Sequence, residues 1–256
     1  MTKDFTLNKY KNFCEALLST GKEIYTLKDY LSKEVEKYDK KIILLRHDVD
    51  IFPKRALKMA QIEKNLGIRS SYYFRNRRHV FNKDIMNKIR SFGHEIGYHY
   101  ENLADAKGDY TKSIESFRKN LLKFNSISKI HTVSMHGSSM SEYNNLDIWS
   151  RCNLSDFDLR GEAYLSINWP YFIYYTDAGG SWSSDANLRD KPLQSNHLKK
   201  QVNSTDEILR EVSKDNNFYF NIHPDRWNNG ISWYFELVTK KTRNYAKNLY
   251  RRHIKI

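Results

Sequence analysis

The sequence predicts an α/β protein built on a parallel sheet or barrel, and three observations carry that expectation. Ile42-Ile43-Leu44-Leu45 is an unbroken aliphatic run, which suits a strand buried on both faces. From there to about residue 135, strand-like and helix-like segments alternate at the spacing of βα units. Acids, imidazoles and guanidines recur just past the ends of the apolar runs, which is where such folds place their sites.

Before the first of these strands, Tyr10, Phe13, Leu17 and Leu18 recur at three- and four-residue steps and predict an amphipathic helix. Thr26 with Asp29 starts a second one through Tyr30 and Leu31. This N-terminal helical pair is expected to close the bottom or side of the domain. After the strand that ends at Asp50, Pro53 to Leu66 reads as a helix with Gly67 as its stop signal. Ser70 to Phe74 is the next strand, ending at Arg75. Ile85, Met86, Ile89 and Phe92 mark a helix before Gly93, and His94 to Tyr98 reads as a short strand. Ile114, Phe117, Leu121 and Leu122 define a further helix, and His131 to Met135 is a strand ending at His136-Gly137-Ser138-Ser139. Later strands are expected at Tyr164 to Ile167, Phe172 to Thr176 and Phe218 to Ile222, with Ser204 and Glu207 boxing the start of the helix before the last. Without repeats or low-complexity linkers, one domain over residues 1–256 is the economical expectation.

A chain of 256 residues with 39% hydrophobic content can bury one sizeable core. Its net charge of +13 favours an anionic partner. Seven of those charges, Lys240, Lys241, Arg243, Lys247, Arg251, Arg252 and Lys255, lie in residues 240–256 with no acid between them. Tyr245, Leu249, Tyr250 and Ile254 interrupt them at helical spacing, so a basic C-terminal helix is expected, docked on the domain or touching a membrane surface. Charge concentrated in one tail, with no nucleic-acid-binding module, argues against nucleic acid. Cys14 and Cys152 have no metal-binding spacing and make no disulfide framework. The N-terminus shows no apolar run of the kind a secretory signal has, so the expected location is cytoplasmic.

The polar residues at expected strand ends are Asp48 and Asp50, Arg75, His99 with Glu101, His136, Asp177, and His223 with Asp225 and Arg226. Carboxylates with imidazoles are the usual ligands of Zn or another divalent first-row metal, and a remaining acid or His can move a proton. Arg46 and Arg75 either clamp an anionic group of a substrate or pair with Asp48 to hold it ionised. Trp182 and Trp227, beside short polar turns, suit stacking on a sugar ring or an aromatic lid. His94 reads as structural.

These motifs resemble the polysaccharide deacetylase (NodB-homology, carbohydrate esterase) superfamily. His47-Asp48-Val49-Asp50 is similar to its first motif, Gly93-His94-Glu95-Ile96-Gly97-Tyr98-His99 to its second, and Ile222-His223 to its last. The resemblance implies an irregular (β/α) barrel of about seven strands, with Asp48 as general base, Asp50 and His99 as metal ligands, and His223 as general acid. Met135-His136-Gly137-Ser138, the stretch from Tyr175 to Trp182, Arg189-Asp190-Lys191-Pro192 and the stretch from Ile222 to Trp227 are similar to a branch associated with surface-polysaccharide biosynthesis.

The chain departs from the family in one respect: four residues after His99, where the family has a second ligand His, stands Leu103. His136, Glu101 and His47 are the candidate replacements. His136 is favoured, because a strand-end His followed by Gly projects into the cleft while Glu101 must turn back from its loop. A chain that binds no metal is the remaining alternative. The expected reaction is metal-dependent removal of an N-acetyl or related acyl group from a sugar, with a nucleotide- or polyprenyl-phosphate-linked sugar among the candidates and Arg46, Arg75, Asp177, Trp182, Arg226 and Trp227 as substrate contacts. The competing expectation is a catalytically altered homologue that binds carbohydrate or serves as a scaffold.

Overall fold

The computed structural model describes residues 4–32, 41–138, 140–182 and 202–229. The basic helix expected in residues 240–256 and the motif at Arg189 to Pro192 lie outside the described residues. Helix α1 (Leu7–Ser19) starts where Thr6 accepts the Lys9 amide, and it buries Tyr10, Phe13, Cys14 and Leu17. Leu18 falls off that stripe and is exposed. A strand that the sequence pattern passes over, β1 (Glu23–Tyr25), leads to α2 (Leu27–Ser32), begun by Thr26 Oγ1 accepting the Asp29 amide at 3.0 Å.

β2 (Ile42–Val49) is buried at every position, as its aliphatic run demands. α3 (Pro53–Asn65) has Pro53 in its first turn, and Gly67 follows its end at φ +74°, a conformation that strains any side chain. β3 (Ser71–Arg75), α4 (Lys83–Ser91), β4 (Glu95–Tyr100), α5 (Asn102–Asp105), α6 (Tyr110–Asn125) and β5 (Thr132–Met135) continue the alternation. β4 runs past the expected end at Tyr98, so His99 stands on the strand. Gly97 is required there, because a Cβ would lie 2.3 Å from the Tyr73 ring. Leu122, assigned to the buried face of α6, is exposed.

The strands end with β6 (Gly161–Glu162), β7 (Phe172–Thr176) and, after α7 (Thr205–Val212), β8 (Asn217–Ile222). No strand forms at Tyr164 to Ile167. The Glu162 carboxylate accepts the amides of Tyr164 (2.6 Å) and Leu165 (3.0 Å), which curls the chain into a turn instead.

All strand pairs are parallel, in the order β6-β5-β4-β3-β2-β8-β7, with β1 added against the start of β2. Among the described residues no pairing joins β6 to β7, so the expected barrel is a curled half-barrel. Parallel pairing brings the carboxyl ends of β2, β3, β4, β5, β7 and β8 to one side. Among the described residues no helix is long and apolar enough to cross a membrane.

Two cores sandwich β2. Ile42 and Leu44 join an inner core with Tyr73 and Tyr219, while Ile43 and Leu45 join an outer one with Phe13, Leu17 and Phe220. The period of two therefore sets Arg46 and Asp48 inward and His47 outward. His47 Nε2 donates to Glu63 Oε1 of α3 at 2.6 Å, and Tyr10 donates to the same oxygen. The other carboxylate oxygen accepts from Ser70 (2.7 Å) and Tyr72 (2.8 Å). His94 completes this buried network as a structural residue, its Nε2 3.0 Å from the Ala60 carbonyl.

Burial alone would push the Glu63 carboxyl up, but His47, then His94 and Tyr10, bring it down to about 2. Glu63→Ala should cost about 3–5 kcal/mol in urea unfolding, because it leaves buried partners without their shared acceptor. Since the folded value lies below the ordinary 4.5, this contribution is present above about pH 4.5 and is lost as pH falls toward 2. The acid limb of the stability curve should flatten in the variant, and an unchanged unfolding midpoint would show that the network is passive.

Candidate active site

The inner face of β2 holds a buried ion pair. Arg46 Nε and Nη2 reach Asp48 Oδ1 and Oδ2 at 3.0 and 2.6 Å, with both side chains at most 3% exposed. Nη2 also donates to Tyr164 (2.7 Å), Nη1 to Tyr219 (3.2 Å), and the guanidinium lies 4.4 Å from the Tyr164 ring centre. Asn221 Nδ2 of β8 donates to Asp48 Oδ2 at 3.1 Å. Burial opposes the Asp48 charge, but Arg46 and then His99 outweigh it and hold the carboxyl at about 2.

Beyond the end of β2, Asp50 meets His99 of β4 and His136 at the end of β5. Asp50 Oδ1 is buried and makes no hydrogen bond; the nearest imidazole nitrogens, His99 Nε2 and His136 Nε2, stand at 3.4 and 3.7 Å. His99 Nδ1 is 3.0 Å from the Ser134 carbonyl, to which only an N–H can bond, so in the neutral ring it is Nε2 that carries the lone pair. His136 Nδ1 lies 3.2 Å from Glu101 Oε2. Burial disfavours the Asp50 charge, yet His136, His99 and His223 together hold it well below the usual range.

On the far side of β2, His223 follows β8. Asp177 Oδ1 accepts both the His223 amide (2.9 Å) and Nδ1–H (2.7 Å), while Asp177 Oδ2 accepts Trp227 Nε1 (2.7 Å). Burial would lower the imidazole, but Asp177 and then Asp50 and Asp48 push it up to about 9. The acid that holds His223 is thus Asp177, while the neighbouring Asp225 uses Oδ1 to accept the Phe52 amide.

Several expected substrate contacts are internal instead. Arg46 is 1% exposed and pairs with Asp48, which was the other reading of that residue. Arg75 is engaged bidentately by Glu101 at 2.9 and 2.6 Å. Asp177 orients His223. Trp182 and Trp227 are 3% and 0% exposed: the first donates to Thr205 and the second to Asp177, so neither ring is open to a sugar. Arg226 is half-buried in the turn Pro224–Arg226. Of the three candidate replacements for the missing His, only His136 joins Asp50 and His99; Glu101 holds its ring, His47 faces outward, and Leu103 is core.

The chemistry of the three donors fits a divalent cation. Their ligand atoms lie within 4.8 Å of one another. Ligands 2.0–2.2 Å from one tetrahedral ion stand about 3.3–3.6 Å apart, close to the separations from Asp50. An unbonded, buried carboxylate oxygen facing two imidazole nitrogens is costly unless something occupies the space between them. Beside His136 opens a cavity of about 550 Å³ lined by Arg75, Glu101, Asp105, Lys107, Met140 and Tyr143 among others.

Fold and site together define a parallel α/β half-barrel with a carboxylate–histidine centre at the strand ends. No protein-family model and no curated protein matches the chain. Among solved structures it is similar to a CE4 esterase of Streptococcus mutans, at 11% identity and TM-score 0.47 over 90% of this chain and 89% of that one. It is also similar to the deacetylase PplD of Streptococcus pyogenes, solved with acetate, at 14% identity and TM-score 0.42 over 56% and 68%. A CE4 family pseudoenzyme of Bacillus anthracis gives 16% identity and TM-score 0.42 over 82% of this chain and 62% of that one.

Asp177→Asn should lower the titration midpoint of His223 from about 9 toward or below 6.5, read by NMR of the ring. Because the folded value is raised, the stability His223 supplies is complete below about pH 6.5 and lost as pH rises through 9. The variant should lose that alkaline limb. A His223 midpoint unmoved by the substitution would assign the shift to other groups.

Proposed function

We propose that this protein is a metal-dependent hydrolase that removes an acetyl or related acyl group from the nitrogen of a sugar. The observation that carries this reading is the pairing of opposite protonation states around one cation-shaped gap. Arg46 keeps Asp48 ionised beside the Asp50, His99 and His136 donor set, and Asp177 keeps His223 protonated at the neighbouring strand end.

Asp50, His99 and His136 would hold a divalent cation, with Zn as the first candidate, which would supply Lewis acidity to a water and to the acyl carbonyl. Asp48 Oδ2, 3.8 Å from His99 Nε2, is placed to accept the proton of the attacking water. At about 2 it is a weak base, so it suits a water whose acidity has already been raised. His223, its Nδ1 committed to Asp177, has Nε2 left to donate to the departing nitrogen. Water oxygen bonds to the acyl carbon, the carbon–nitrogen bond breaks, and acetate and an amine leave.

The motif resemblance and the net charge of +13 support a cytoplasmic nucleotide- or polyprenyl-phosphate-linked sugar of surface-polysaccharide biosynthesis as the substrate. The cavity beside His136 gives such a sugar room next to the donor set.

Plasma mass spectrometry of the purified protein should find near-stoichiometric divalent metal, lost in Asp50→Ala and His136→Ala. Asp48→Asn should keep the metal and lower acetate release from N-acetylated sugar nucleotides by about 10²–10⁴-fold. A protein that takes up no metal after dialysis against each first-row ion would sink the hydrolase, and Leu103 in place of a ligand would then mark a carbohydrate-binding homologue.

A further inference from the structure

We propose that Glu101 is a positioning residue that fixes the ring and tautomer of His136 so that Nε2 faces Asp50 and His99. The proposal rests on the reading of those three residues as a cation site. His136 comes just after β5, and without a fixed partner its ring could present either nitrogen. Three groups approach its Nδ1: Ser138 Oγ at 3.0 Å, Glu101 Oε2 at 3.2 Å and the Ser138 amide at 3.3 Å. The hydroxyl is ambivalent, since it can donate to Nδ1 or accept from it. If it donated, the proton would sit on Nε2, which could then bind no cation. The Ser138 amide can only donate, which also favours the proton on Nε2. Against it stands the ionised Glu101 carboxylate, which only accepts and carries a full charge, so Glu101 draws the proton to Nδ1 and leaves the Nε2 lone pair toward Asp50.

Glu101 is itself held rigidly. Arg75 grips it through both oxygens, and Arg77 Nε donates to Oε1 at 2.7 Å. Its side chain is 8% exposed. Arg75 Nη1 also lies 3.4 Å from the Asp50 carbonyl, so one guanidinium touches the supports of two of the three donors. Neither arginine is then a free anion clamp: both serve a carboxylate that serves a histidine.

The test is Zn²⁺ affinity, measured by competition with a chromophoric chelator for the unmodified protein, Glu101→Gln, His136→Ala and the double variant, with urea unfolding of each apo form. Glu101→Gln should bind Zn²⁺ about 10–100-fold more weakly, the size expected when such a supporting partner is lost. It should add nothing further in the His136→Ala background, because Glu101 acts through that ring. Equal losses in both backgrounds, or unchanged affinity in Glu101→Gln, would overturn the role of Glu101 while leaving the cation site intact. No Zn²⁺ binding by the unmodified protein would overturn both. Should Glu101→Gln fail to fold, nitrogen-15 NMR of the Zn²⁺-loaded unmodified protein decides: His136 protonated at Nδ1 and metallated at Nε2 supports the proposal, and the reverse overturns it.

Discussion

The buried pair of Arg46 and Asp48 is the constraint around which the fold closes. Two charges inside a protein cost several kcal/mol each unless their remaining donors and acceptors are met, so the pair dictates its surroundings. Tyr164 and Tyr219 accept from the guanidinium, Asn221 donates to the carboxylate, and Tyr219 in turn donates to the Ala163 carbonyl at 3.1 Å. Ala163 and Tyr164 follow β6, the edge strand, while Tyr219 and Asn221 belong to β8 on the other side of β2. Satisfying one arginine therefore pulls the far edge of the sheet over its middle. The curl that brings six strand ends within reach of one another is in part a polar requirement, added to the ordinary twist of parallel strands.

β2 carries a second buried acid-base cluster on its other face, and the contrast between the two is informative. Outside, Glu63 has both oxygens filled by His47, Tyr10, Ser70 and Tyr72, with His94 close by. A network whose acceptor is saturated locks α1 and α3 onto the sheet and has no capacity left for a ligand. Inside, Asp50 retains a buried oxygen without a hydrogen bond, faced by two imidazoles. Similar residue types on the two faces thus serve as a structural lock on one and as a candidate coordination site on the other.

Much of this was legible in the sequence, for identifiable reasons. Long-range placement followed from local pattern wherever a strand carried an unbroken apolar run, as at Ile42 to Leu45 and Phe218 to Phe220. His136 could be favoured because a strand-end His followed by Gly projects into the cleft, while Glu101 must turn back from its loop. Failures came where a side chain, not the period of the backbone, decides the outcome. Glu162 takes the amides that a strand at Tyr164 would have used, and no periodicity shows that. Trp182 and Trp227 look like sugar platforms in a polar turn, but their indole nitrogens find partners inside, which only the tertiary structure reveals. The link between Asp177 and His223 joins two strands 46 residues apart. The outward direction of His47 was the missed signal: alternation along β2, counted from Ile43 and Leu45, assigns it to the face away from Asp48.

The third candidate donor, His136, stands at the end of β5, and that placement decides what holds the site together. A ligand four residues after His99 would be fixed by the geometry of one helix, independent of the sheet. His136 depends on the ladder between β4 and β5, in which His99 stands opposite Ser134. That register does two things at once: Ser134 O takes the His99 Nδ1 proton, and two residues on, the chain delivers the His136 ring edge-on to His99, centroids 5.2 Å apart at 88°. A slip of one residue would turn His136 to the opposite face, so the site is only as well made as the strand pairing. Such a site needs a fixed point outside the ladder. Glu101, gripped by Arg75 of β3 and touching His136 beyond β5, ties the ends of three strands together at the height of the donors, and thereby couples the coordination geometry to the whole central sheet.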